Sequence, residues 1–194
     1  GGQTIDDCSK TVEKLSQRNV HTILDFAAEG EQEDKLFDNV CNEVLKTIDY
    51  AKANTKTPFS VFKITGIARF DLLVKVSANE ELTKEETQEY ERVYKRVESI
   101  FKKGYELGVP VLVDAEETWI QPVLDSLFLE FMKKYNKEKA IVQNTYQMYC
   151  HKSINSLKAH HQIALENGVK FGLKIVRGAY MEKERLRAKE MGYP

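Results

Sequence analysis

The chain has 194 residues, 42% of them hydrophobic and 30% charged, with a net charge of −1. That balance predicts a soluble globular chain with a real core, and it leaves no basic footprint for a nucleic-acid partner. No apolar run reaches the roughly 18 residues that a membrane-spanning helix needs.

The first predicted element is an amphipathic helix over residues 5–18, preceded by Gly1-Gly2-Gln3, which resembles a clipped end and not a signal peptide. An apolar, β-branched run follows over 20–28, then a helix over about 32–53 with Leu36, Val40, Val44 and Ile48 on one stripe. A second run covers 58–67. Thr83 and Glu86 have capping-box spacing, and Tyr90, Val93, Val97 and Ile100 continue the helix to a stop at Gly108. The third run, 109–117, precedes a helix whose stripe includes Ile120, Leu124, Leu127 and Phe131. The fourth, 140–148, precedes a helix that carries Ile154, Leu157 and Leu165 and ends at Gly168. The fifth, 169–180, breaks at Arg177-Gly178-Ala179-Tyr180 into the charged run "EKERLRAKE", read as a solvated helix.

Continuous apolar runs alternating with helices are what parallel strands covered on both faces require. An open doubly wound sheet and a (β/α)8 TIM-type barrel both satisfy that pattern. No G-x-G-x-x-G turn follows a strand, which lowers the nucleotide-binding version of the open sheet. A barrel has eight units in about 250 residues. On that reading the chain carries the first five units, residues 20–194, after an N-terminal helical segment, 1–19.

Four of the runs carry a polar residue among apolar neighbours: Lys63, Asp114, Gln143 and Lys174. Burying a charge without a partner costs several kcal/mol, so such residues must meet each other or a ligand. Placed at similar depth near the C-terminal strand ends of a barrel, they would converge on one mostly cationic cavity with a single carboxylate. The plainer alternative is a structural ion pair of Asp114 with Lys63 or Lys174, plus an edge-facing Gln143. A lysine in such a cavity also suits a Schiff-base aldolase. His151, His160 and His161 have no standard zinc-ligand spacing and read as surface residues, and Trp119 reads as packing. The three cysteines, Cys8, Cys41 and Cys150, are odd in number and widely spaced, as reduced intracellular thiols are.

The stretch "KIVRGAYMEKERLRA", with "FKITG", "VDAEE" and "VQNTYQMY" before it, resembles the catalytic barrel of the proline dehydrogenase family, in its mitochondrial-type branch. The resemblance implies FAD-dependent oxidation of L-proline to Δ1-pyrroline-5-carboxylate, with electrons passed to a membrane quinone. It implies a peripheral place at the bacterial cytoplasmic face or the mitochondrial inner membrane. Carried over by residue, Lys63 would meet the substrate carboxylate and Asp114 the proline nitrogen, while Ala179 and Tyr180 would wall the substrate ring. Gln143, Lys174, Val176 and Gly178 would contact the flavin, Gly178 through close backbone approach. The family's final helix, with two arginines that clamp the carboxylate, has no counterpart before Pro194. Glu29 would stand for the family's first-strand glutamate. A non-catalytic barrel fragment is the remaining alternative for the chain by itself.

Overall fold

The computed structural model describes Gly2, residues 4–26 and residues 34–193. Glu29 lies outside the described residues. The first helix, α1 (Ile5–Ser16), starts in a capping box: Thr4 Oγ1 accepts from the Asp7 N–H, and the Asp7 carboxylate accepts from the Thr4 N–H. Next come β1 (Ile23–Leu24), α2 (Asp34–Ala53), β2 (Phe59–Phe62), a 3-10 turn (Ile64–Gly66) and α3 (Phe70–Ser77). The chain continues through α4 (Lys84–Leu107), β3 (Val111–Val113), α5 (Gln121–Tyr135), β4 (Val142–Gln147), α6 (Ser153–Glu166), β5 (Gly172–Val176) and α7 (Met181–Met191).

The strands are shorter than the apolar runs that announced them, because the runs extend into loops on either side: β3 occupies 111–113 of 109–117, and β5 occupies 172–176 of 169–180. Helix α3 matches none of the elements that the sequence pattern predicts. Its N-cap is Arg69, which makes no side-chain capping bond, so the usual start signal is missing. By contrast α4 begins and ends where its signals stand. Thr83 and Glu86 close the capping box, and Gly108 takes the left-handed conformation, φ +69°, that side chains resist.

All five strands are parallel, in the order β1-β2-β3-β4-β5. Consecutive strands lie side by side with no reversal of order. That is the arrangement of a (β/α)8 barrel wall and not of a doubly wound sheet, whose strand order reverses.

One face of the sheet packs on the helices. Phe62, Val111, Val113 and Val142 belong to that core, with Phe101, Phe128 and Phe131 from α4 and α5 over them. The Phe101 ring lies 5.6 Å from both Phe62 and Phe131. Asn136, fully buried where α5 ends, donates to the Val142 and Lys170 carbonyls and accepts from the Ile141 and Val142 N–H groups. It fixes the level at which β4 and β5 enter the sheet.

Candidate functional site

Strand alternation decides which side chains face away from the helices. In β4, Val142 packs in the helix-side core, Asn144 donates to Asp125 of α5, and Tyr146 bonds His160 of α6. Gln143, Thr145 and Gln147 therefore face the other way. The same alternation assigns Lys63, Asp114, Lys174 and Val176 to that second face, each at or just after the end of its strand or within β5.

Register then sets their depth. Thr145 pairs with Lys174, and Phe62 pairs with Val113, so Lys63, Asp114, Thr145 and Lys174 form one row. Lys174 Nζ is hydrogen-bonded to Asp114 Oδ1, and Thr145 Oγ1 donates to the same oxygen at 3.5 Å. Lys63 Nζ lies 3.9 Å from Asp25 Oδ2, just past β1. Charge on this face therefore alternates in sign: Lys63, Asp114 and Lys174 stand in the row, and Asp25, which the β1–β2 register sets level with Val61, lies one level below Lys63. The expectation of a mostly cationic cavity with one carboxylate is corrected by Asp25. Of the two ion pairs considered for Asp114, the Lys174 pair forms.

Gln143 departs from the expected depth. It pairs with Gly172, one level below the row, and its Nε2 donates to the Ala140 carbonyl at 2.9 Å. A side chain on Gly172 would collide with it, the nearest approach being 2.6 Å to Gln143 Cγ. The amide that reaches the C-terminal end of β4 is Gln147, which is 4% exposed. Its Nε2 donates to the Glu116 carbonyl at 2.6 Å, and its Oε1 accepts from the Ala179 N–H at 3.1 Å. The sequence did hold a signal for it, since Gln143, Thr145 and Gln147 share a face at period two.

Above the row the loops are laced together by carboxylates. Glu116, 2% exposed, accepts from the Thr65 N–H at 3.2 Å and bonds Thr65 Oγ1 at 2.5 Å. Burial pushes its carboxyl up to about 7; the Thr65 hydrogen bonds pull the other way. Glu117 pairs with Lys183 at 2.5 Å, and Glu184 accepts from Thr118 N–H and Oγ1 at 2.7 and 2.8 Å. Arg187 lies over the Trp119 ring at 4.6 Å, and Trp119 meets Phe70 edge-on. Trp119 is packing, as expected. The "EKERLRAKE" run is not simply solvated: Lys183, Glu184 and Arg187 fasten α7 to the loop after β3.

Ala179 and Tyr180 follow β5, and Tyr180 is the residue from which α7 starts. Gly178 has φ +139°, and a Cβ there would lie 1.4 Å from Tyr149 Cε1. The close approach that demands glycine is to the Tyr149 ring. His160 is a further correction. It is 8% exposed, with Nδ1 2.8 Å from the Tyr146 hydroxyl, and burial lowers its pKa against the pull of Asp125.

Among the described residues no helix is long and apolar enough to cross a membrane. The family described as proline dehydrogenase matches residues 8–194. The carbapenem antibiotics biosynthesis protein CarD of Pectobacterium carotovorum is 31% identical over 95% of this chain and 49% of its own length. Proline dehydrogenase 1, mitochondrial, of Dictyostelium discoideum is 32% identical over 98% of this chain and 40% of its own. The chain therefore spans half or less of the length of these relatives. Among solved structures, proline utilization A of Bdellovibrio bacteriovorus, inactivated by N-propargylglycine, superposes with a TM-score of 0.81 at 19% identity. It covers 100% of this chain and 21% of its own. The lysine-aldolase alternative finds no support in any of these matches. A matched span that runs through the whole sheet, with the row and its loops inside it, places the chain in the proline dehydrogenase family.

Proposed function

We propose that this chain carries much of the site of a flavin-dependent L-proline oxidation that yields Δ1-pyrroline-5-carboxylate. The observation that supports the reading best is the alternation of charge along one row, Lys63, Asp114 and Lys174, with Asp25 one level below Lys63. Proline is a zwitterion, so its site must offer a cation to the carboxylate and an anion to the ring nitrogen. Lys63 and Asp114 stand next to each other on adjacent strands with those charges.

FAD, when bound, supplies the acceptor for the hydride that leaves the carbon beside the ring nitrogen. The donor set here suits such a group: Lys174 provides a cation and Gln147 an amide on the same face. Lys174, Val176 and the backbone at Gly178 would line the cofactor, with Gln147 taking the place expected of Gln143. Ala179 and Tyr180 would wall the substrate ring, holding it face to face with the acceptor. A membrane quinone as final acceptor, with the protein peripheral to that membrane, completes the reading.

Proline oxidation by the full-length protein that contains this chain is the test, followed as reduction of a quinone or a dye. Lys63→Met and Asp114→Asn should each reduce kcat/KM by about 2–5 kcal/mol, the usual cost of truncating one partner of a desolvated charged contact. Unchanged values in both variants would reduce Lys63 and Asp114 to structural ion pairs. Lys174→Ala should lower the flavin reduction potential, since a nearby cation favours the added electrons. An unshifted potential would move Lys174 away from the ring.

A further inference from the structure

We infer that Glu184 is a positioning residue that holds the Ala179-Tyr180 wall against the loop after β3, and that this link sets the affinity for L-proline. The inference rests on the proline reading of the site.

Glu184 occupies the first turn of α7 and is bonded at both ends. Its backbone N–H donates to the Tyr180 carbonyl at 3.0 Å, the first helical bond of α7. Its carboxylate takes two hydrogen bonds from a single residue, Thr118, one from the N–H and one from Oγ1. One residue thus spans from the loop four positions after Asp114 to the residue that would face the substrate ring. The geometry is bidentate, which fixes orientation as well as distance.

Neighbouring contacts point the same way. Lys183 is paired with Glu117, whose side chain is almost wholly buried, and its Nζ lies 5.4 Å from the centre of the Tyr180 ring. A lysine held by a buried carboxylate and placed over an aromatic face constrains that ring by cation–π attraction. On the other side of the same loop, Gln147 Oε1 receives the Ala179 N–H. The 178–180 segment is therefore held from β4 by the Gln147 amide, and the helix that starts at Tyr180 is tied to the loop after β3 by the Glu184 carboxylate. Helix α7 itself buries no residue, so little apolar packing holds it, and its place against the loop after β3 depends on the polar contacts of Lys183, Glu184 and Arg187.

The arrangement makes distinct demands on substitution. Glu184→Gln keeps an acceptor for the Thr118 N–H and gains a donor for Thr118 Oγ1, which can accept. It should preserve the link. Glu184→Ala removes both bonds and frees the loop.

The experiment uses the full-length protein that contains this chain, in native form and as Glu184→Ala, Glu184→Gln and the surface control Glu190→Ala. Amide hydrogen exchange over residues 177–181 and steady-state kinetics with L-proline are read side by side. In Glu184→Ala, exchange should speed up and KM should rise about tenfold with kcat within about twofold, as expected when orienting contacts are lost and chemistry is not. Glu184→Gln and Glu190→Ala should match the native protein in both measurements. Exchange unchanged in Glu184→Ala overturns the inference, because the loop would not depend on that residue. Faster exchange with an unchanged KM overturns it too, leaving Glu184 only a structural tie. A native protein that oxidises no proline at all would end the reading of the site, and exchange alone would then decide whether Glu184 holds the loop.

Discussion

From β2 to β4 the sheet is walled by helices. Val111 and Val142 are fully buried, the Phe101 and Phe131 rings meet in the same core, and Phe128 is buried there with them. At β5 the same side of the sheet presents Ile175, paired with Tyr146, yet Ile175 is 59% exposed. Helix α7 leaves Leu186 and Met191 exposed as well. What holds this flank is directional: five backbone pairings to β4, the Lys174–Asp114 bond, and the contacts of Lys183, Glu184 and Arg187 with residues 117–119. The centre should therefore be sensitive to lost volume. The flank should be sensitive to lost charge and hydrogen bonding.

The largest effect belongs to the centre. Phe131 is fully buried and contacts Phe101, Tyr94 and Tyr135. Phe131→Ala should cost about 3–5 kcal/mol in urea unfolding, the range for truncating a core phenylalanine. A loss of less than about 1 kcal/mol would mean that the centre is packed no better than the flank, and the contrast would fail.

Glu116 belongs to neither region alone, since it joins the β2 and β3 loops, and its effect depends on pH. Its folded carboxyl is held up to about 7, above the ordinary 4.5. Between those values the folded protein keeps a proton that the unfolded chain has released. Stability from this group is therefore complete below about pH 4.5 and falls as pH rises through 7. The full shift corresponds to roughly 3 kcal/mol. Glu116→Gln mimics the neutral acid: its oxygen can accept from the Thr65 N–H while its nitrogen donates to Thr65 Oγ1. The variant should show a flatter stability curve between about pH 5 and 7, and at about pH 8 it should be the more stable protein. Parallel curves for the two proteins would remove Glu116 as the titrating group.

How much of this was legible in the sequence differs by region. The helices of the centre could be read closely, because α4 carries its own start and stop in Thr83, Glu86 and Gly108. Helix α3 could not, since Arg69 offers no capping oxygen and eight residues give too few turns for a clear stripe. In the site, residue type was legible and depth was not. Lys63, Asp114 and Lys174 stood out as charges in apolar runs, but placing Gln143 beside them needed the register, which follows from where Asn136 pins β4. Gln147 was hidden because it sits among other polar residues at the end of its run. Asp25 was hidden because its partner, Lys63, is 38 residues away in sequence. His160 looked like one of two adjacent surface histidines; only the packing of α6 on β4 turns it inward to Tyr146.

On the flank, Arg187→Ala removes the cation above Trp119 and nothing from the core. The exposed geometry makes the contact worth about 0.5–1 kcal/mol. Trp119 is the single tryptophan of the chain, so its emission reports directly on the contact. The variant should shift the emission with only a slight change in urea midpoint. An unchanged spectrum would mean that α7 does not rest on the loop in solution, and the directional account of the flank would lose one of its three contacts.

The smallest effect should come from Ile175. It faces the helix side of β5 as Val142 faces the helix side of β4, and a serine at a position like Val142 would destabilise severely. Ile175, however, keeps more than half of its surface in water, so Ile175→Ser exchanges one solvated side chain for another. The change should stay within about 0.5 kcal/mol, as for surface substitutions that touch no cap, core or network. Strand propensity works slightly against serine, which puts the expected sign on the destabilising side. Urea unfolding of Ile175→Ser, run beside Phe131→Ala, makes the comparison within one experiment. A cost approaching that of the core variant would show that Ile175 is covered in solution by a further part of the protein, and that the flank is packed as tightly as the centre.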